Sequence, residues 1–190
     1  MNAKDPQVSK RANEKSYLID KSADHAPGAV GDEERVFEAF LRERGLKFTR
    51  ARKDLLRKVF AMHDHFTADQ LLDRLKASGV RASKATVYRT LAVMAESGLL
   101  VGHDFGEGAL YYEHTHGHAH HDHLFCLNCK GIVEFYDADL ETKQEQIVAR
   151  LGFQMLTHSL KIYGICKECS ALETVAKRYL HTGRLVSQRS

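Results

Sequence analysis

No apolar run in this 190-residue chain approaches the ~18 residues that a membrane span requires, so the sequence offers no transmembrane segment. The N-terminus also lacks the continuous apolar core of a signal peptide, and a cytoplasmic location is expected. Proline is scarce. Pro6 and Pro27 are the only two, both within residues 1–31, a polar stretch without sustained periodicity that reads as a flexible tail. Cysteine is limited to four residues, arranged as Cys126-x2-Cys129 and Cys166-x2-Cys169. In a reducing cytosol that arrangement points to metal ligation rather than to disulfides. Charge is nearly balanced, and a net +3 excludes no class of partner. With 43% hydrophobic residues the chain can bury one sizeable core or two small ones, and we read it as two small domains.

What is present is unevenly distributed. Residues 42–58 hold eight Lys or Arg against Glu43 and Asp54, a surplus of +6. Residues 110–170 hold five basic residues against eight acidic ones, a balance of −3. A basic front half suits a polyanion and an acidic, ligand-rich back half suits cations.

Four helical patterns follow the tail. Asp32 can cap the first, with Val36, Phe37, Phe40 and Leu41 on one side and Gly45 at its end. Thr49 can cap a second, carrying Leu55, Leu56, Val59 and Phe60 on one face. The third opens on the capping-box signature Thr67-x-x-Gln70 and stops at Gly79. Ser83 opens the fourth, whose apolar stripe is Val87, Leu91, Met94 and Ala95. Its opposite face presents Lys84, Ala85, Tyr88 and Arg89. Beyond Gly98 the period changes, and residues 99–101 and 109–112 read as two strands around a glycine-rich turn. Two helices separated by a short turn and followed by a hairpin is the order of a winged helix-turn-helix. On double-stranded DNA the fourth helix would enter the major groove with Lys84, Tyr88 and Arg89, while cations of residues 42–58, Lys47 and Arg52 among them, would meet phosphates.

The second half is organised around residues 114–129. Six of the twelve histidines fall in residues 114–123, directly before Cys126 and Cys129. An affinity tag would give a similar run, but tags sit at chain ends and this run contains Asp122. Residues 124–125 and 132–135 predict a hairpin around the first cysteine pair. Asp137 can cap a helix bearing Leu140, Ile147, Val148 and Leu151, and residues 153–166 alternate as a strand with His158 on its apolar face. A helix is predicted over residues 171–180. Such a small unit cannot hide its apolar faces alone, and dimerisation is the expected remedy.

The two Cys-x2-Cys pairs supply four soft thiolates, which close a tetrahedral structural zinc site. The histidine and carboxylate set is of another kind, suited to ferrous iron, manganese, cobalt or zinc held in exchangeable fashion. On an extended segment His121 and His123 point to one side and His120 and Asp122 to the other. The run His118-x-His120-x-Asp122-His123 also matches a metallohydrolase signature. Such an enzyme needs further ligands spread through a sheet sandwich larger than the ~70 residues that remain, so no enzyme is expected.

Residues 85–91 (ATVYRTL) and 120–126 (HHDHLFC), with Cys129, Glu134-Phe135 and the later cysteine pair, resemble the ferric uptake regulator family over about residues 33–170. The resemblance implies an α+β chain: an N-terminal winged helix-turn-helix domain plus a small C-terminal α/β dimerisation domain with structural zinc. It further implies a metal-dependent repressor that binds palindromic DNA operators as a homodimer, with a tetramer open. The parts are a tail over residues 1–31, a DNA-binding domain over 32–112, a His-rich hinge over 113–123, a dimerisation and metal-binding domain over 124–175 and a tail over 176–190. Carried over residue by residue, the regulatory site falls on His65, Glu113, His121, His123 and Glu134, and an additional site on His120, Asp122, Glu141 and His158. The peroxide-sensing branch uses aspartates where Glu113 and Glu134 stand, which favours Fe2+ as effector over peroxide. Mn2+ and Zn2+ responses stay open, as does a metal-storage protein, which would bind no specific DNA.

Overall fold

The computed structural model describes residues 32–114, 120–175 and 178–179. The expected N-terminal tail, His116 and His118, and all of the expected C-terminal tail but residues 178–179 lie outside them. The packing divides the chain between His120 and His121, and each unit is taken by itself.

The first unit holds helices α1 (Asp32–Glu43), α2 (Arg50–Phe60), α3 (Ala68–Ala77) and α4 (Lys84–Glu96), with strands β1 (Phe66–Thr67), β2 (Leu100–Asp104) and β3 (Leu110–His114). Thr49, Thr67 and Ser83 cap their helices as the sequence predicts, whereas Asp32 stands inside α1 as its first described residue. Thr49 accepts from the Arg52 N–H and Ser83 from the Thr86 N–H. At α3 the box is reciprocal, the Gln70 N–H donating to Thr67 Oγ1 at 3.2 Å and the Thr67 N–H to Gln70 Oε1 at 2.8 Å. Gly79 and Gly98, with φ near 75°, take the left-handed conformation that lets α3 and α4 stop where they do. One face of each helix enters a single core of seventeen buried residues, among them Phe37, Leu55, Leu71, Leu91 and Met94.

The strands add something the sequence did not reveal. β1 joins the hairpin as a third strand, giving the antiparallel order β1-β3-β2, with Phe66 opposite Tyr112. β3 also continues through His114, whose Nε2 donates to the Met62 carbonyl at 2.9 Å while its ring stacks on Phe60. That histidine, the first of the 114–123 run, has a structural place in the first unit.

The second unit holds β4 (Asp122–Cys126), β5 (Ile132–Phe135), α5 (Ala138–Arg150), β6 (Lys161–Gly164), α6 (Lys167–Ser170) and α7 (Glu173–Val175). Asp137 caps α5 through the Asp139 and Leu140 N–H groups, as its position predicts. β4 lies between β5, antiparallel, and β6, parallel. One expectation fails here. The strand read over residues 153–166 shrinks to Lys161–Gly164, because only those residues find a partner in β4; Phe153 and Leu156 are 74% and 88% exposed. Alternation alone does not make a strand without a ladder to join. Of the helix read over residues 171–180, Glu173–Val175 is helical as α7, a separate turn α6 precedes it over the second cysteine pair, and the rest lies largely outside the described residues. α5 buries none of its residues within the chain. Among the described residues no helix is long and apolar enough to cross a membrane.

Candidate metal centres and nucleic-acid face

The cysteine centre follows from strand direction. β4 and β6 run parallel with Cys126 opposite Gly164, so their C-terminal ends lie side by side and the two Cys-x2-Cys turns that follow them converge. The four Sγ atoms all lie within 4.8 Å of one another, and Cys129 and Cys166 approach to 3.8 Å. Around Cys126 the chain turns tightly, the Lys130 N–H donating to the Cys126 carbonyl at 2.9 Å and Lys130 adopting φ 59°. Gly131 leaves room for the turn, since a Cβ there would crowd the Cys129 sulfur at 3.2 Å. Backbone N–H groups point at the sulfurs, as the Cys166 N–H does at Cys126 Sγ, 3.3 Å away, and Asn128 Nδ2 donates to Cys169 Sγ at 3.2 Å.

This environment divides the thiols. Burial pushes Cys126 up, but the N–H groups of Cys166, Cys129 and Asn128 outweigh it and hold this thiol down at about 6. Burial raises Cys129 and Cys166 above their ordinary range. A cation among these sulfurs would reverse that penalty by taking all four as thiolates, and the donor set fits tetrahedral zinc.

The histidines and carboxylates group within each unit. In the first, the β1–β3 register that places Phe66 opposite Tyr112 brings His65 level with Glu113, and His65 Nε2 lies 3.2 Å from Glu113 Oε2. A further residue joins them: His103 on β2 stands opposite Tyr111, on the same face as Glu113, with its Nε2 2.7 Å from Glu113 Oε1. Sequence reasoning passed over His103; the signal was its place two residues along the hairpin from a level with Glu113, visible only once the register is fixed. In the second unit His121 Nε2 lies 3.9 Å from Glu134 Oε2, and the His121 and His123 rings meet at 4.9 Å. Strand alternation sends Asp122 elsewhere, to a group with Glu141 and His158 whose ligand atoms lie within 4.8 Å of one another. His158 Nε2 is 3.1 Å from Glu141 Oε2, and Asp122 Oδ1 accepts from the Leu160 N–H at 3.3 Å. His158 is therefore a partner of a carboxylate from a loop, not a residue of an apolar strand face. His120 is exposed at the end of the first unit.

On α4, Lys84, Ala85, Tyr88 and Arg89 are exposed while Val87, Thr90, Leu91 and Met94 are buried. Asp69 of α3 tethers two of the exposed residues, pairing with Lys84 Nζ at 2.8 Å and accepting from the Tyr88 hydroxyl at 3.3 Å. The basic run is less available than its count suggests. Lys53 and Arg57 both pair with Glu34 at 2.7 Å, Arg44 pairs with Glu96, and Arg50 approaches Asp54 at 3.8 Å. Arg52 remains on the surface, its guanidinium donating to the Lys47 carbonyl at 2.6 Å, which fixes it beside the turn before α2.

Comparison with known proteins agrees with these features. The profile of the ferric uptake regulator family matches residues 43–163. The ferric uptake regulation protein of Escherichia coli (strain K12) is 37% identical over 146 residues, covering 76% of this chain and 95% of its own. Among solved structures, the ferric uptake regulator of Francisella tularensis with iron superposes with a TM-score of 0.61 at 36% identity, over 66% of this chain and 95% of that one. A zinc-bound manganese uptake regulator superposes with a TM-score of 0.55 at 32% identity, over 69% and 98%.

Proposed function

Because the chain belongs to the ferric uptake regulator family, whose members are transcriptional regulators and not enzymes, we propose that it is a metal-responsive repressor of metal-uptake genes, working in the cytoplasm. In this reading a metal-loaded homodimer binds palindromic operators, with Fe2+ as the effector and Zn2+ as the structural ion at Cys126, Cys129, Cys166 and Cys169. The first unit is a winged helix-turn-helix. Its α4 presents Lys84, Tyr88 and Arg89 to base edges, and Lys47 and Arg52 hold the DNA backbone.

The observation that carries the reading is the division of the ligands into two incomplete sets, His65 with Glu113 in one unit and His121 with Glu134 in the other. Neither set fills the coordination sphere of a ferrous-type ion, which takes about six nitrogen and oxygen donors. One ion shared by both sets, with His123, fixes the DNA-binding domain relative to the dimerisation domain. Two domains on one dimer must match half-sites separated by about one helical turn or a multiple of it, so fixing that relation selects the binding-competent arrangement. His120, Asp122, Glu141 and His158 hold an additional ion that braces the second domain. The unburied helix α5 and the exposed Leu151, Phe153 and Leu156 support dimerisation, since apolar surface of this extent calls for a partner.

The test is operator affinity. Operators are selected from a random DNA library with the Mn2+-loaded protein, and binding is then measured anaerobically with Fe2+, Mn2+, Zn2+ or none. Fe2+ is expected to tighten binding by about 5–150-fold, the range of a typical coupling. A larger response to Mn2+ or Zn2+ would reassign the effector within the family. Equal affinity under all conditions would overturn metal control, and light scattering of the loaded protein separates dimer from tetramer.

A further inference from the structure

His103 is a histidine of the three-stranded sheet that the five-ligand regulatory set does not use. It stands on β2, and the antiparallel register puts Glu113 on the same face, one pleat along β3. His65, immediately before β1, reaches the same carboxylate from the other side. The two imidazoles take different oxygens of Glu113, His103 Nε2 at 2.7 Å from Oε1 and His65 Nε2 at 3.2 Å from Oε2. All three residues offer a ligand atom within 4.8 Å of one another. Neighbouring donors on an ion held at about 2.1 Å stand about 3 Å apart, so these separations are those of adjacent corners of one coordination sphere. The side chains are only 5–13% exposed, and the His103 ring packs near Phe105 at 6.0 Å, which limits the freedom of its Nε2.

We propose that His65, His103 and Glu113 form a metal site built from the first unit alone, a two-histidine, one-carboxylate triad for a divalent cation of the ferrous, manganous or cobaltous kind. The inference rests on the regulatory reading in sharing His65 and Glu113 with it, and it adds His103 as a ligand. Two imidazoles and one carboxylate on one side of an ion leave the other side open. The sheet's own register builds the triad, so the first unit could hold an ion without any ligand of the second unit.

The test uses the full-length, zinc-loaded chain with His121, His123 and Glu134 changed to Ala and with His158→Ala to disable the additional set. Co2+ is titrated by its visible absorption, and Mn2+ is examined by pulsed electron paramagnetic resonance, which counts coupled imidazole nitrogens. The expected result is one Co2+ bound per chain, two imidazoles coupled to Mn2+, and a loss of Co2+ affinity of more than about tenfold on adding His103→Ala. A count of one imidazole with His103 intact would overturn the proposal, and it does so without relying on a variant that could fold poorly. Unchanged affinity and spectrum in a folded His103→Ala protein would overturn it too. An affinity loss without loss of a coupled nitrogen would make His103 a positioning residue for Glu113, which also refutes ligation. Operator binding by the unsubstituted protein is recorded alongside. Metal-independent DNA binding there would sink the regulatory reading while leaving the triad standing.

Discussion

Substituting one zinc ligand should unfold half of this protein and spare the other half. Among the described residues of the second unit, Phe125, Phe135 and Val175 are the buried hydrophobic ones besides Cys126 and Cys169. At about 1.5–3 kcal/mol for each buried side chain, those three contribute about 5–9 kcal/mol. A structural zinc in a small domain contributes about 10–16 kcal/mol of folding free energy. A zinc ion held by the four cysteines would therefore be the larger stabilising element, and Cys126→Ser removes the ligand on which most backbone N–H groups converge. The first unit has its own seventeen-residue core and no need of that ion. Hydrogen exchange followed by mass spectrometry, with zinc measured on the same sample, checks this. Peptides from β4 and β6 should lose protection by at least about a hundredfold, equivalent to about 3 kcal/mol, while α3 and α4 exchange as before. A zinc-free variant whose β4 and β6 remain protected would refute the reasoning, because dimer contacts alone would then be holding the unit.

Two further outcomes follow from the first unit. Arg89→Ala should weaken operator binding by about 1–3 kcal/mol without changing metal content, and an unchanged affinity in a DNA-binding titration would remove α4 as the reading helix. The Lys53 ammonium and the Arg57 guanidinium hold the Glu34 carboxyl below its ordinary value of 4.5. A carboxylate depressed in the folded state stabilises it above the unfolded value and loses that contribution as pH falls through the folded one. Glu34→Gln should thus lower the melting temperature at pH 7 and lose its effect toward pH 3, by under about 1 kcal/mol for so accessible a cluster. An equal difference at both pH values would show that the charge is not the cause.

The helices of the first unit were legible because their determinants are local. Thr49, Thr67 with Gln70, and Ser83 lie within three residues of the N–H groups they cap, and the apolar stripes repeat within each helix. β1 was not legible, since Phe66–Thr67 is too short to alternate and becomes a strand only through β3. Residues 153–160 misled for the opposite reason, alternating without a partner ladder. Counting charge over residues 42–58 overstated the free cations because Glu34 and Glu96, which neutralise three of them, belong to other elements.

By itself the sequence determined the chemistry on offer. Thiolate pairs at two-residue spacing can do little in a reducing compartment but hold a metal, and alternating His121, Asp122 and His123 must face opposite ways on any extended chain. Only the tertiary structure decided which ligands meet. The cysteine pairs converge because β4 and β6 run parallel, a choice that lies in the crossover through α5 and not in either pair. His65, His103 and Glu113 converge because two antiparallel registers place them on one face of one sheet. Register is a relation between strands, fixed by which faces are buried, and no single segment carries it.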